Sequence, residues 1–339
     1  MVWLDKAYIG HMSQVSGVEE HRLVGGRGDG MRLFLVRNGR GLEFTVSADR
    51  CADISRLSVD GVNLGYFSPV GYVAPSYYDG VGNGFLKSFT AGFLTTCGLY
   101  AVGTPCHDEG EDTPLHGSVG NTPAESIQTH QTEDAIVIQA KIDQSEMFGR
   151  KLVLYRTITC STQDNCLSIR DRIVNEGDRI SPCMVLYHMN MGYPLLSETA
   201  ELAIPSEHVS GRTAKAEKGI SHWQEITKPQ PQFEEECFYH QFTDKGLAGI
   251  YNPAVQKGLV ISYDAKQLPY FVQWKMMGER EYVLGLEPGN CHPDGRDKMR
   301  QSGNLAQLQP GEEVSYCIDL HFFRNESDWR NGFTRINQE

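Results

Sequence analysis

The amino-acid sequence predicts an all-β protein of mostly antiparallel strands with few short helices. The clearest signal is a series of apolar, strand-like runs at residues 135–142, 152–160 and 166–174, with polar turns between them. Strands that follow one another without helical periods between them are typical of an antiparallel meander rather than of βαβ units. The chain also has 35 glycines, which favours many turns over long helices.

The first part of the chain predicts a β-hairpin. Residues 31–36 and 42–46 alternate between apolar and polar side chains around an Asn-Gly-Arg-Gly turn, which is the pattern of two strands joined by a tight connection. A third strand is expected over 50–57. Arg50 and Asp53 place charges near its start, which fits either a solvated edge or a polar corner of a cleft.

Residues 68–123 lack a regular pattern and are rich in Gly, Pro, Tyr and Asp. One short helix at 84–89 and one apolar piece at 93–100 are expected within them. Long irregular segments in compact domains are usually functional or disordered. Aromatic side chains argue against disorder here and predict a packed loop layer over the sheet; they are Tyr72, Tyr77, Tyr78, Phe85, Phe89, Phe93 and Tyr100.

The remainder of the chain returns to strand-like runs, expected at 183–190, 247–251, 259–263, 270–275, 282–287 and 314–323. Residues 205–245 are polar and irregular, and their acidic run at 234–236 is interpreted as a solvated face. No internal repeat, low-complexity tract or break in composition divides the chain. We therefore expect a single domain over 1–339, with its core at about residues 14–323.

Charge and hydropathy exclude several classes of partner. The formal net charge is -12 at pH 7 without a cluster of Lys and Arg, whereas nucleic acids and anionic membranes are bound largely through such clusters. The N-terminal residues lack the layout of a secretion signal, and no apolar run is long enough to span a bilayer. We expect a cytoplasmic monomer or homodimer with no nucleic-acid or membrane partner.

The cysteines give no sign of a disulfide framework. There are nine of them, an odd number, and no Cys-x-x-Cys pair occurs, so we interpret them as reduced thiols. Most lie in apolar, strand-like runs, where free cysteine usually has a buried packing role rather than a catalytic one.

Three ionisable residues stand where strand-like runs end. Glu287 follows the apolar run 283–286 and precedes Pro-Gly, which stops a strand ladder. His116 lies in Pro-Leu-His-Gly, and His188 lies in a run that ends at Gly-Tyr-Pro. If these ends share one sheet, a carboxylate and two imidazoles face a common cleft and can perform acid/base chemistry near neutral pH. Other histidines are interpreted as ordinary structural or surface residues: His107, His130, His208 and His222.

The order of the motifs resembles the aldose 1-epimerase (galactose mutarotase-like) superfamily, in particular its branch of epimerase-like proteins without an assigned function. The similarity extends from about residue 14 to residue 323, and it rests on the order and spacing of several short motifs. They are Asp-Arg-Cys-Ala-Asp-Ile at 49–54, Thr-Thr-Cys-Gly-Leu at 95–99, Leu-His-Gly at 115–117, Tyr-His-Met-Asn-Met-Gly-Tyr-Pro at 187–194, Gly-Leu-Glu-Pro at 285–288, Gly-Asn-Leu at 303–305 and Leu-Gln-Pro-Gly-Glu at 308–312.

This resemblance implies a galactose mutarotase-like β-supersandwich that binds a small-molecule carbohydrate on a concave sheet. It implies an isomerase that interconverts anomers or epimers of a sugar or sugar derivative, with side chains alone and no metal or other cofactor. His188 would be the general acid near the ring oxygen, His116 an assisting histidine, and Glu287 the general base at the anomeric hydroxyl. The expected substrate-binding residues are Arg50, Asp53, Asn190, Glu236, His240 and Gln273.

The chain departs from the superfamily pattern at three points. Tyr187, Met189 and Met191 surround the expected acid histidine in place of the usual context. The sugar-ordering aspartate has no clear match, and Glu236 or His240 is the substitute offered by the sequence. Arg50 is the candidate for the active-site arginine. The identity of the substrate therefore stays open.

Two other classes of function stay open as well. A metal-dependent sugar isomerase or lyase could use His116, His188, Glu287 and His292, because these are suitable ligand types; no compact ligand motif supports it. A carbohydrate-binding or regulatory module without turnover is the other alternative. A matched acid and base favours the enzyme, because a pure binder depends more on aromatic and amide side chains.

Overall fold

The computed structural model of the protein describes residues 5–338. Within this range the chain forms 25 β-strands. In chain order they are β1 Gly17–Arg22, β2 Arg32–Arg37, β3 Leu42–Ser47, β4 Asp53–Val59, β5 Val62–Asn63, β6 Tyr66–Phe67, β7 Ala91–Gly92, β8 Leu94–Leu99, β9 Cys106–Asp108, β10 Glu111–Thr113, β11 Ser126–Gln131, β12 Ala135–Ser145, β13 Lys151–Ser161, β14 Cys166–Asn175, β15 Ser181–Pro182, β16 Met184–Met191, β17 Glu201–Ala203, β18 His208–Gly211, β19 Glu236–Gln241, β20 Lys245–Asn252, β21 Lys257–Asp264, β22 Tyr270–Gly278, β23 Glu281–Gly289, β24 Gln307–Leu308 and β25 Glu313–Phe323.

Helices are short and few by comparison. The α-helices of the described residues are α1 Ala214–Lys218, α2 Arg296–Gln301 and α3 Glu326–Gln338. Single turns of 3₁₀-helix occur at Lys6–Tyr8, Met12–Gln14, Gly26–Gly28, Pro75–Tyr77, Val119–Asn121 and Ile220–His222, and a longer one occurs at Gly82–Lys87. No helix in this part of the chain combines the length and the apolar character needed to cross a membrane.

Three larger sheets build the fold. Their strand orders are β1-β2-β3-β4-β5 in a five-stranded sheet, β11-β12-β13-β14-β25-β21-β20-β17 in an eight-stranded sheet, and β18-β19-β22-β23-β16-β8 in a six-stranded sheet. Every pairing within these sheets is antiparallel across the described residues. The predicted all-β fold with mostly antiparallel strands is confirmed.

The predicted strands recur with small shifts. The opening hairpin is β2 and β3, and the predicted meander is β12, β13 and β14. The third strand begins at Asp53 rather than at residue 50. The segment 205–245 is less irregular than predicted, because it contains β18, α1 and β19, which have only four to six residues each. Elements this short carry too few residues to show a period.

One large hydrophobic core joins the inner faces of the three sheets. It includes Phe44 of β3, Ile138 of β12, Tyr187 of β16 and Leu286 of β23. Alternate residues of a strand point to opposite faces of the sheet. The residues between these core positions therefore point away from the core, which matters for the site described below.

Helix α3 extends the packed structure beyond the core predicted to end at about residue 323. Its buried side chains Trp329 and Ile336 pack on the eight-stranded sheet against Leu247, Tyr251 and Val260. The sequence contained this signal, because Trp329, Phe333 and Ile336 have the four-and-three spacing of an apolar helix face.

Candidate functional site

Strand register places His188 and Glu287 side by side. In the antiparallel pair of β16 and β23, Leu186 lies opposite Gly289 and Met189 lies opposite Leu286, so His188 lies opposite Glu287. Both point away from the main core, because their strand neighbours Tyr187, Met189 and Leu286 face it. The same row of the sheet continues to Val272 and Tyr239 on one side and to Thr95 on the other.

His116 reaches the same place from the loop that follows β10. Its backbone has a positive φ of 59°, which is uncommon for a residue other than glycine. The backbone is held there because the His116 N–H donates to the carbonyl of Gly103 at 2.9 Å and the Gly98 N–H donates to the carbonyl of His116 at 3.1 Å. The ring centroids of His116 and His188 are 5.7 Å apart. The structure thus brings the three predicted catalytic residues together.

These residues line a cavity of about 360 Å³, which is within the usual size range of small-molecule sites. Aromatic side chains enclose it: Phe89 and Trp274 both meet the His188 ring edge-on, with centroid distances of 5.3 and 5.2 Å. The full lining consists of Asn83, Phe85, Leu86, Phe89, Gly103, Thr104, Pro105, Leu115, His116, His188, Arg212, Glu235, Cys237, Val272, Trp274, Glu287 and Pro293.

A larger hollow of about 690 Å³ lies on the eight-stranded sheet. This hollow is more open to solvent, and its lining includes Gln139, Tyr155, Thr157 and Arg172. The smaller cavity is the better candidate site, because buried ionisable groups without partners converge there, and such groups are typical of functional sites.

The acid and base candidates are buried and unpaired. His188 is 5% exposed and Glu287 is 2% exposed. The Nδ1 atom of His188 and the Oε1 atom of Glu287 are 3.3 Å apart, yet the geometry is not that of a hydrogen bond and neither atom has another partner. The Nδ1 atom of His116 is also buried without a partner. Three polar atoms that would normally be satisfied are therefore left for a ligand.

Burial controls the charge of these groups. It raises the pKa of Glu287 well above its ordinary value, and the nearby carboxylate of Glu235 raises this pKa further. It lowers the pKa of His188 to about 4 and the pKa of His116 to about 3, because a charged imidazole loses its hydration in the cavity. Burial therefore keeps both imidazoles neutral at neutral pH and shifts the carboxyl group of Glu287 toward its protonated form.

Three further lining residues were not predicted. Arg212 follows β18, and its guanidinium is fixed by Nε donating to Asp294 at 2.9 Å and by Nη2 donating to the Thr104 hydroxyl at 2.8 Å. Glu235 accepts a hydrogen bond of 2.7 Å from Nε1 of Trp274. Arg212 and Glu235 lie in the segment predicted to be irregular, and Glu235 is part of the acidic run interpreted as a solvated face.

Arg50 and Asp53, predicted to bind substrate, are buried away from the cavity that contains His188. The buried guanidinium of Arg50 donates to the backbone carbonyls of Gly120, Val73 and Ser88. Neither residue lines the cavity that contains His188. The polar side chains at the start of β4 are thus neither a solvated edge nor a corner of this cleft.

Asp53 belongs to a buried ion network around Arg156, whose side chain is 0% exposed. Arg156 donates from Nη1 to Asp53 at 2.6 Å and from Nη2 to Asp171 at 2.7 Å. Tyr187, the neighbour of His188, also donates to Asp171 at 2.9 Å. The network ties β4, β13 and β14 to the strand that carries His188.

We expect Arg156→Met to destabilise the fold by about 3–5 kcal/mol, because it leaves two carboxylates buried without their cation. Urea unfolding measures the loss. The matched control is Arg330→Met, which removes a 54% exposed partner of Glu201 and Glu326 and should cost less than about 1 kcal/mol. Equal, small losses in both variants would show that the buried network contributes no more than a surface ion pair.

The other predicted substrate-binding residues also lie outside the lining. Asn190 shares a face with His188, but its Nδ2 donates to the backbone carbonyl of His188 at 2.9 Å. Gln273 and His240 lie on the opposite face, since Gln273 pairs with Phe238 and His240 pairs with Phe271 in register. They bond to each other at 3.1 Å.

Glu236 lies on that opposite face as well, because it pairs with Lys275. A shift of one residue along a strand changes the face to which a side chain points. The cavity is therefore lined by the neighbours of the predicted residues, namely Glu235, Cys237 and Trp274.

The metal-dependent alternative used His292 in addition to His116, His188 and Glu287. In the structure His292 packs between two tyrosine rings, with centroid distances of 3.9 Å to Tyr239 and 4.5 Å to Tyr270, and it does not line the cavity. Over residues 5–338 the structure has no group of three or more His, Cys, Asp or Glu side chains arranged to hold a metal ion.

Comparison with solved structures places the fold among galactose mutarotase-like proteins. A candidate aldose 1-epimerase from Klebsiella pneumoniae is 26% identical to this chain, with a TM-score of 0.89, over 96% of this chain and 90% of that one. A galactose mutarotase-like protein from Clostridium acetobutylicum is 14% identical, with a TM-score of 0.67, over 92% of this chain and 99% of its own. Galactose 1-epimerase from Lactobacillus acidophilus is 12% identical, with a TM-score of 0.61, over 92% and 100%.

Comparison with curated proteins found no match. A family model does match, over residues 28–322, which include both histidines and the glutamate of the cavity. Since this match covers most of the chain, the protein belongs to the family described as Domain of unknown function (DUF4432).

Proposed function

We propose that this protein is an isomerase of the aldose 1-epimerase type, which interconverts the anomers of a reducing sugar or sugar derivative. The observation that carries the proposal is the convergence of three buried, unpartnered polar atoms, Nδ1 of His116, Nδ1 of His188 and Oε1 of Glu287, on one sugar-sized cavity. The resemblance to aldose 1-epimerases and mutarotases supports it.

In the proposed reaction Glu287 accepts the proton of the anomeric hydroxyl. The bond between C1 and the ring oxygen breaks, its electron pair goes to the ring oxygen, and His188 donates a proton to that oxygen. Rotation of the open aldehyde presents its other face, and the reverse transfers close the ring. One base and one acid are sufficient, each worth roughly 10²–10⁴-fold in rate.

The contact between Glu287 and His188 lets the pair hold one proton. Burial favours the neutral form, with the proton on Glu287. The reactive form has this proton on His188, so that Glu287 can act as the base and His188 as the acid. Ring opening then returns the pair to its neutral form, since Glu287 gains the proton of the sugar and His188 gives up its own. His116 stays neutral and orients the sugar by hydrogen bonding.

Exchange NMR against a panel of reducing sugars, keto-sugars and sugar acids tests the proposal. At least one sugar should show saturable exchange between anomers above the uncatalysed rate. Binding of a sugar without exchange would identify a carbohydrate-binding module. Exchange that is lost on chelation and restored by one divalent ion would support the metal-dependent alternative.

We expect Arg212 to hold a substrate oxygen, because hydrogen bonds to Asp294, Thr104 and the Pro293 carbonyl orient its guanidinium at the cavity wall through Nε and Nη2. Loss of a charged hydrogen bond costs about 1.5–3 kcal/mol, so Arg212→Met should raise the KM of the active sugar roughly 10–150-fold. The surface variant Arg330→Met is the control, and an unchanged KM in Arg212→Met would remove Arg212 from the site.

A further inference from the structure

The backbone conformation at position 285 does not require glycine. Its φ is not in the left-handed region that favours glycine, and it lies in the middle of β23, where glycine normally weakens a strand. A left-handed backbone conformation therefore does not explain the residue. Its surroundings give a different explanation.

The carboxylate of Glu287 lies over Gly285. These two residues are two positions apart on one strand and face the same side of the sheet. A Cβ atom added at Gly285 would lie far inside contact distance of Oε1 of Glu287, and it would lie 3.0 Å from Cβ of Trp274. Oε1 is also the atom 3.3 Å from Nδ1 of His188. The absence of a side chain at 285 thus gives this oxygen its place beside the histidine.

We propose that Gly285 is a positioning residue that seats the carboxylate of Glu287 for proton transfer. The consequence for catalysis rests on the proposed function. Any side chain at 285 displaces Oε1 from its place beside His188, even when Glu287 itself is unchanged. A misplacement of about 1 Å can cost on the order of 10²-fold in rate.

Gly285→Ala should therefore lower kcat of the active sugar on the order of 10²-fold and change KM less than about threefold, since the sugar-binding groups stay in place. Gly278→Ala is the matched control in the neighbouring strand. A Cβ there would meet only the flexible end of Met276 at 3.0 Å and Glu281 at 3.7 Å, away from the cavity, so its kcat should stay at the wild-type value.

A double-mutant cycle with Glu287→Asp separates seating from general damage to the strand. Aspartate is one methylene shorter, so its carboxylate does not reach back over residue 285. Gly285→Ala should then lower both kcat and the unfolding temperature much less in the Asp background than in the wild type. If Gly285→Ala alone fails to fold, the double variant should fold.

Equal losses of kcat and unfolding temperature in both backgrounds would overturn the proposal. The glycine would then be needed to avoid a clash with Trp274 or to keep the strand intact, and not to seat Glu287. Coupling in unfolding temperature without coupling in kcat would overturn the catalytic role. If the wild type turns over no sugar, the proposed function fails, whereas the unfolding cycle still decides whether Gly285 seats Glu287.

Discussion

Glu287→Gln is expected to bind the active sugar with nearly wild-type affinity while losing on the order of 10²–10⁴ in turnover. Glutamine keeps the size of the side chain and its place over Gly285, but it cannot take a proton from the anomeric hydroxyl. Exchange NMR gives turnover, and titration of the sugar gives affinity. Glu236→Gln is the matched control, because Glu236 lies on the opposite face of the same sheet and should not affect turnover.

The pH dependence of turnover provides a second readout. Wild-type turnover should fall at acid pH, when the pair of Glu287 and His188 takes up a second proton, and at alkaline pH, when it loses its last one. Such limits belong to the pair rather than to either residue. In Glu287→Gln only His188 titrates, so residual turnover should not fall on the acid side. An acid limb that survives would assign this limit to another group, with Glu235 the first candidate because it lines the cavity.

Stability should move in the opposite sense to activity. Burial raises the pKa of Glu287 above its ordinary value of 4.5, so the folded protein retains a proton that the unfolded chain has released. The contribution of Glu287 to stability is therefore present below about pH 4.5 and is lost as pH rises through the folded pKa. Glu287→Gln should consequently be at least as stable as the wild type near pH 8. A variant that unfolds instead would show that Glu287 is a structural residue.

The sequence predicted the strands whose apolar and polar side chains alternate regularly. Strands β12 to β14 alternate over ten or eleven residues each, and such length makes a period-two pattern readable. Glu287 and His188 could also be predicted from the sequence, because each is an ionisable residue that interrupts an apolar run. Whether the whole chain acts as a single domain stays a prediction.

The parts that sequence reasoning missed depend on contacts far apart in the chain. Arg50 and Asp53 looked like a solvated edge or a cleft because their partners are distant: Arg156, the cation for Asp53, lies 103 positions away. Arg212 contacts Asp294 and Thr104, which lie 82 and 108 positions away in the chain. Local patterns carry no information about such pairs.

The position of Gln273 and His240 outside the cavity lining has another cause. Gln273 was placed on the correct strand, whereas His240 fell in a segment predicted to be irregular. No local feature of these strands shows which face meets the cavity, because both faces carry polar as well as apolar side chains. Register decides it, and register is fixed by the pairing of Val272 with Glu287. Trp274 rather than Gln273 therefore lines the site.

His188→Gln is expected to lose turnover on the order of 10²–10⁴-fold, because glutamine cannot transfer a proton to the ring oxygen as the imidazolium of His188 does in the proposed reaction. Burial lowers the pKa of His188 to about 4. This is compatible with the role, since Glu287 at 3.3 Å can supply the proton as it becomes the base. Glutamine can still donate a hydrogen bond, so substrate affinity should change little.

Two other histidine variants make the test specific. His116→Asn should lower turnover less than His188→Gln, since His116 only orients the sugar, and asparagine tolerates the positive φ of 59° at this position. His240→Gln changes a buried histidine on the opposite face, which bonds to Ser206 and Gln273, and it should leave turnover at the wild-type value if the protein stays folded. Wild-type turnover in His188→Gln would refute the acid assignment. Equal losses of turnover in all three variants would mean that the histidines contribute to stability rather than to catalysis. The face of the sheet on which a histidine lies would then not determine whether it takes part in the reaction.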